Sequence, residues 1–472
     1  MKILFAASEA VPYAASGGLA DVAGSLTKSI CGRGHGCRVV LPLYGDISEE
    51  HRQSMRFVAS FTVVLGWRNQ YCGVFEAQRD GVWYYFLDNE YYFKRQGLYS
   101  FYDDAERFAF FSKAVLDMLE QVDFEPEIIH CNDWQTGLIP VYLNTLYRAS
   151  PKLREVKTVY TIHNIQYQGQ YDLEIAGDVL GLPEPAVAML EYGGSLNLMK
   201  GGIDQCDLLT TVSPTYAKEI LDPYYAHGLE GFLQTKSYKL HGILNGIDTV
   251  SYDPAADLSL LENYSLSALK GKQRSKKKLQ LELGLSPDSK APMLAMVTRL
   301  ASHKGLDLVQ YIFGRIMDEG VQFVLLGSGD WQLEKFFREM VAQYPGRVSV
   351  TLGFEPPLAR KIYAGADLFL MPSKSEPCGL AQMIALRYGT LPVVRSTGGL
   401  ADSIIDVGDD GYGYTFQSYN AEDMLGAIQR GLADYAQPKK WVGLVKKAMA
   451  CDFSWEASAG EYIRLYQQIV EG

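Results

Sequence analysis

Glu376 stands immediately before Pro377. That position is held away from helical backbone, so the carboxylate can point into a crevice and accept hydrogens from sugar hydroxyls. Further on, Thr397-Gly398-Gly399 presents backbone N–H groups without side chains at a helix start, where the helix dipole favours an anion such as phosphate. The same turn occurs near the beginning, where Ser16-Gly17-Gly18-Leu19-Ala20-Asp21 matches Thr397-Gly398-Gly399-Leu400-Ala401-Asp402. Arg299 and Lys304, five residues apart, add two cations, one able to bind bidentately and the other a point charge. Together these residues would make a diphosphate clamp with a sugar pocket beside it. Each has a plainer reading as well: the turns as helix caps, the cations as a solvated basic loop.

The elements that must position them follow an α/β pattern. Leu368 to Met371 and Leu391 to Val394 read as buried strands, with a helix from about Gly379 to Tyr388 between them. Met293 to Thr298, Val321 to Leu326 and Val348 to Leu352 read as further strands, separated by helical stretches. In the first half the strands are Lys2 to Ser8, Arg38 to Tyr44, Glu127 to His130, Val156 to Ile162 and Leu208 to Val212, with a helix expected from about Thr136 to Leu146. Asp133 and His163 follow two of those strands, on the side where open α/β sheets bind ligands. Asp133 reads equally as a helix cap, and His163 as a buried core histidine. Asp88 to Tyr102 is rich in Tyr, Phe and charge, a mixture that suits sugar stacking and ordinary loop packing alike.

A chain of 472 residues exceeds one core, and the turn signal at Asn245-Gly246-Ile247-Asp248 divides it. The expected domains are 1–245, 246–454 and a terminal amphipathic helix, 455–472, packing back on the first. The net charge of −11 argues against nucleic acid or an anionic membrane as partner. Seven scattered cysteines without metal-ligand spacing suit a reduced cytoplasm, and no metal site is expected. No apolar run reaches the length of a membrane helix.

The motifs SEAVPYAASGGLADV, HCNDWQTGL, YTIHNIQYQG, DLLTTVSPTYAKEI, GILNGIDT, VTRLASHKG, LGSGD and SEPCGLAQMIALRYGTLPVVRSTGGLAD span nearly the whole chain. In their order and content the chain resembles the bacterial glycogen synthases and plant starch synthases. That resemblance implies the glycosyltransferase B fold, two Rossmann-like domains facing each other across a cleft, and retaining transfer of glucose from ADP-glucose to the non-reducing end of an α-1,4-glucan. It implies no cofactor. Arg299 and Lys304 would hold the distal phosphate, Glu376 the glucosyl hydroxyls and His163 the hydroxymethyl side, with Asp133 and Asn245 bordering the donor sugar and the acceptor's entry. Gly18, Cys378, Gly379, Leu380, Thr397, Gly398, Gly399 and Leu400 would line the donor site, with Phe354 near the base. The family's usual Lys-Thr-Gly-Gly is Ala15-Ser16-Gly17-Gly18 here, and Gln135 stands where histidine is frequent. The missing cation keeps UDP-glucose, a different acceptor, or a catalytically impaired glucan-binding paralogue open as alternatives. The implied chemistry is front-face transfer, in which the departing phosphate helps deprotonate the acceptor hydroxyl and closure of the domains excludes water.

Overall fold

In the computed structural model, which describes residues 1–288 and 290–472, the chain forms two compact units. One comprises Met1–Gly246 with Trp455–Gly472, the other Ile247–Ser454.

The first unit is built on nine strands. They are β1 (Lys2–Ala6), β2 (Gly36–Pro42), β3 (Arg56–Leu65), β4 (Arg68–Arg79), β5 (Val82–Asp88), β6 (Ile128–Asn132), β7 (Lys157–Ile162), β11 (Leu208–Thr211) and β12 (Leu240–Gly242); β8 (Gln170–Tyr171), β9 (Glu191–Tyr192) and β10 (Ser195–Asn197) form a small separate sheet. The order is β12-β11-β7-β6-β1-β2-β5-β4-β3. All pairings are parallel except β3 with β4 and β4 with β5, which extend the sheet as antiparallel strands. β1 is wholly apolar from Ile3 to Ala6 and fully buried, as a central parallel strand covered on both faces must be. From β1 the chain runs first to β2 on one side and returns later to β6 on the other. The ends of β1 and β6 therefore flank the point where the strand order reverses.

The expected helix after β6 is not continuous. A short 3-10 turn (Trp134–Thr136) and an α-helical turn (Leu138–Tyr142) lead into a π-helical one (Leu143–Tyr147). There the Thr145 hydroxyl donates to the Val141 carbonyl at 2.7 Å, competing for the acceptor that a regular helix would use.

The terminal helix (Trp455–Glu471) packs on the first helix (Gly18–Gly32), with Arg33 bound to Glu456 at 3.1 Å. Its Tyr466 hydroxyl lies 2.6 Å from His130 Nδ1, and His130 Nε2 lies 2.6 Å from the Thr161 hydroxyl, so β6, β7 and the last helix share one buried polar chain. Burial holds the His130 imidazole neutral, its pKa well below the ordinary value. Tyr466→Phe leaves one nitrogen of this buried ring unpaired and should cost roughly 1–3 kcal/mol. Urea unfolding measures it, and an unchanged midpoint would show that the chain of hydrogen bonds contributes nothing.

The second unit is a six-stranded, all-parallel sheet: β13 (Met293–Val297), β14 (Gln322–Leu326), β15 (Val348–Thr351), β16 (Leu368–Met371), β17 (Leu391–Arg395) and β18 (Tyr414–Phe416), in the order β15-β14-β13-β16-β17-β18. This is the Rossmann arrangement, and its order reverses between β13 and β16. The helix after β16 begins at Ala381, two residues later than expected, and ends at Arg387.

Candidate active site

In the second unit the segments following β13 and β16 meet at that reversal. The Lys374 amide donates to the His303 carbonyl at 2.8 Å. Gly305 lets them close: its φ is +73°, and a Cβ there would lie 2.0 Å from the Pro372 carbonyl oxygen. Behind the turn, the buried Arg395 guanidinium donates to the Lys374 carbonyl at 2.7 Å and fixes it to the end of β17.

The consequence is an ion pair. Lys304 Nζ lies 2.7 and 2.9 Å from the two Glu376 carboxylate oxygens, and the Ser373 hydroxyl donates to Glu376 at 2.9 Å. Burial by itself would raise the Glu376 pKa, but the Lys304 charge and these hydrogen bonds outweigh it and hold the carboxyl below its ordinary value. Glu376 is therefore an anion at neutral pH, with oxygens fixed to receive hydroxyl hydrogens. His303 beside it is kept neutral, its pKa lowered to about 4 by burial and then by Lys304. Arg299 differs from Lys304 although only a short turn separates them: it is exposed, and its guanidinium has no hydrogen-bond or ion-pair partner among the described residues. An uncommitted guanidinium at the carboxyl end of β13 is a ready anion contact.

The glycine turns do different work from the work expected of them. Gly398, at φ +45°, and Gly399 press on the 376–378 backbone so closely that added Cβ atoms would meet the Glu376 and Cys378 carbonyls at 2.0 and 2.2 Å. The Gly399 amide donates to the Glu376 and Pro377 carbonyls, both at 3.1 Å, and the Leu400 amide to the Thr397 carbonyl at 3.0 Å. The Gly399 N–H holds the Glu376 loop in place and the Leu400 N–H closes its own turn, so neither is a bare phosphate donor. The amides of Gly379 and Leu380, at the start of the next helix, have no acceptor among the described residues. Cys378 and Thr397 are buried beside them.

At the matching turn in the first unit, the Ser16 amide donates to the Glu9 carboxylate, so that end is already occupied by an anion from the chain itself. Glu9 is only 4% exposed, and burial raises its pKa. It follows β1, across the strand reversal from Asp133. Sequence reasoning passed over it, because a single carboxylate after an apolar run signals only the end of the run. Ala15 and Gly18 are exposed beside this turn.

Asp133 does not cap its helix. Its backbone is strained, with φ at +54°. Its carboxylate instead accepts the His163 amide at 2.7 Å and the Asn164 amide at 3.4 Å, joining the ends of β6 and β7. Burial, with a smaller contribution from Glu9, pushes the Asp133 carboxyl up to about 7 against the pull of those amides. His163 is neutral, pressed to about 3 by burial. Its Nε2 lies 2.8 Å from Asn132 Oδ1, while Asn132 Nδ2 donates to the Ala6 carbonyl at 2.9 Å. The amide oxygen must therefore receive a proton, so His163 carries hydrogen on Nε2 and offers Nδ1 as an acceptor. Asn245, after β12, is buried, and its side-chain oxygen has no hydrogen-bond partner among the described residues.

A carboxyl whose folded pKa exceeds its unfolded value of 3.8 contributes stability that is present in full below 3.8 and lost as pH rises through about 7. Asp133→Asn keeps an acceptor for both amides but removes the titration. The unfolding free energy of the natural chain, from urea titration, should therefore fall relative to this variant between pH 4 and pH 8, by an amount on the order of a few kcal/mol. A difference that stays flat or grows would contradict the burial of an ionising Asp133.

Known proteins share this chain's two halves and its fold. Residues 2–235 match the model of the starch synthase catalytic domain, and residues 284–447 that of glycosyl transferases group 1. A glycogen synthase from Geobacillus thermodenitrificans is 50% identical over 100% of this chain and 98% of its own length. The chain belongs to the glycogen synthase family. A glycogen synthase from Clostridium beijerinckii is 47% identical over 99% of both chains. The solved catalytic domain of starch synthase IV from Arabidopsis thaliana, bound to ADP and acarbose, superposes with a TM-score of 0.94 at 34% identity, covering 100% of this chain and 99% of that one. A sucrose-phosphate synthase from Thermosynechococcus elongatus, at 17% identity and a TM-score of 0.62, shares the fold alone. The glycogen synthase chain thus has the glycosyltransferase B fold. No helix among its described residues is long and apolar enough to cross a membrane.

Proposed function

We propose that this glycogen synthase transfers glucose from ADP-glucose to the non-reducing end of an α-1,4-glucan, with retention of configuration, in the cytoplasm. The observation that carries the reading is the free Arg299 guanidinium beside the Lys304–Glu376 pair, at the strand reversal of a Rossmann sheet.

In this reading Arg299 and Lys304 bind the distal phosphate of the donor, and the free Gly379 and Leu380 amides add two neutral donors. Charge that builds on the departing diphosphate is met by groups already in position, which lowers the barrier without reorganisation. When phosphate draws on Lys304, Glu376 keeps the Ser373 hydroxyl and turns its remaining acceptor capacity to the glucosyl hydroxyls. His163 Nδ1 accepts the 6-hydroxyl hydrogen, and the neutral ring does so without adding positive charge beside an oxocarbenium-like sugar. Asp133 and Asn245 border the donor sugar and acceptor entry, and Phe354 serves the base. The phosphate leaving on the front face takes the acceptor proton. ADP bound to the Arabidopsis relative supports adenine as the donor base.

The test is incorporation of radiolabelled glucose into glycogen from ADP-glucose and, separately, from UDP-glucose. Labelled polymer with ADP-glucose preferred is expected. Incorporation from neither donor would overturn the function, and preference for UDP-glucose would overturn the donor.

A further inference from the structure

Three neighbouring strand-end segments in the second unit carry exposed side chains, one guanidinium and two aromatic rings. Arg299 follows β13 and Phe354 follows β15. Between them the turn after β14 is tied to both: the Asp330 amide donates to the Leu300 carbonyl at 2.7 Å, and the Gly353 amide to the Gly327 carbonyl at 3.3 Å. Adjacent strands lie about 4.8 Å apart, so these three segments span about 10 Å, the scale of a nucleoside.

The turn leads directly into Trp331, the first residue of the helix Trp331–Gln343, which Asp330 caps through the Gln332 and Leu333 amides at 2.8 and 3.3 Å. Trp331 is 68% exposed and Phe354 90%. The other strongly exposed tryptophan, Trp67, is held by a hydrogen bond to Asp178 and by Arg68 over its ring. Trp331 has no hydrogen-bond, ring or cation partner among the described residues. A capped helix start therefore holds a bare indole in water, on the segment that lies between those carrying the uncommitted Arg299 and the exposed Phe354.

We infer that Trp331 is a second aromatic contact for the nucleobase of the donor, acting with Phe354 and setting donor affinity rather than the rate of transfer. The inference rests on the nucleotide-sugar reading above. Every base presents a π-face, and stacking on an aromatic side chain is worth about 1–3 kcal/mol, roughly a fivefold to hundredfold change in affinity.

The test compares the natural enzyme with Trp331→Ala and Trp331→Phe. For Trp331→Ala the KM for ADP-glucose and the inhibition constant of ADP should each rise about tenfold, with kcat changed less than twofold. Trp331→Phe should restore most of the affinity. Inhibition by pyrophosphate, which has no base, should be unchanged, and this separates stacking from general damage to the turn. ADP should quench tryptophan fluorescence in the natural enzyme and quench it less in Trp331→Phe. Unchanged ADP inhibition in an active Trp331→Ala enzyme, or pyrophosphate inhibition weakened equally, would overturn the role of Trp331 and leave the nucleotide-sugar reading standing. A natural enzyme that neither binds ADP nor transfers glucose from its sugar would overturn both.

Discussion

Lys304→Met is expected to lower kcat with ADP-glucose by about a thousandfold and to destabilise the second unit by about 3–5 kcal/mol. Methionine keeps much of the volume of the lysine stem and removes only the charge. Glu376 then stays buried with the Ser373 hydroxyl as its sole side-chain hydrogen-bond partner among the described residues. Removing one member of a buried pair leaves the other uncompensated, which is costlier than the net value of the pair. The pH dependence reverses as well. In the natural chain the Glu376 pKa is lowered, so its stabilising contribution is present above its unfolded value of 4.5 and lost as pH falls through the folded value. Without Lys304, burial dominates and the pKa is raised, so stability is instead lost as pH rises past 4.5. Urea unfolding at pH 4 and pH 8, with initial rates at saturating donor, checks both parts. A variant as stable at pH 8 as the natural chain would show that the pair is not electrostatically coupled.

Arg299→Ala should lose activity on a similar scale, about a hundredfold to a thousandfold in kcat/KM, while its stability stays within about 0.5 kcal/mol. The two cations lie in one short loop, yet their surroundings assign opposite outcomes. The Arg299 side chain is exposed and its guanidinium has no hydrogen-bond or ion-pair partner among the described residues, so the fold does not depend on it. Its removal costs only the ligand contact. A large loss of stability, or turnover within a few-fold of the natural enzyme, would show that Arg299 does not serve the phosphate.

The sequence shows some of this and conceals the rest, for physical reasons. Asp133, His163, Arg299 and Glu376 each lie at or shortly after the end of a short strand-like stretch rich in apolar and β-forming residues, and in a parallel sheet such a stretch is buried on both faces, so the ionisable residue beyond it belongs to the ligand-binding edge. The alternation of strands and helices, and with it the Rossmann character of both halves, follows from the same runs. What a linear reading misses are contacts made across the sheet. Lys304 meets Glu376 only because the turn at Gly305 packs against Pro372, and no local pattern announces that approach. The paired glycine turns look like phosphate cradles because they lack side chains. Their actual neighbours are the Glu9 carboxylate in one unit and the 376–378 carbonyls in the other, which take the Ser16 and Gly399 amides. The break of the helix after β6 escapes as well: the Thr145 hydroxyl bonds to the Val141 carbonyl there, but a threonine does not announce a break, since Thr27 makes the same bond to Ala23 inside the continuous first helix.

The central claim is that Arg299 and Lys304 grip the distal phosphate of the donor, and calorimetric titration with ADP and with AMP tests it most directly. AMP lacks that phosphate. The account predicts that the natural enzyme binds ADP at least tenfold more tightly than AMP, and that Arg299→Ala shrinks the difference by weakening ADP alone, with Lys304 holding what remains. Equal affinity for the two nucleotides in the natural enzyme, or a preference for ADP that survives Arg299→Ala undiminished, would contradict it.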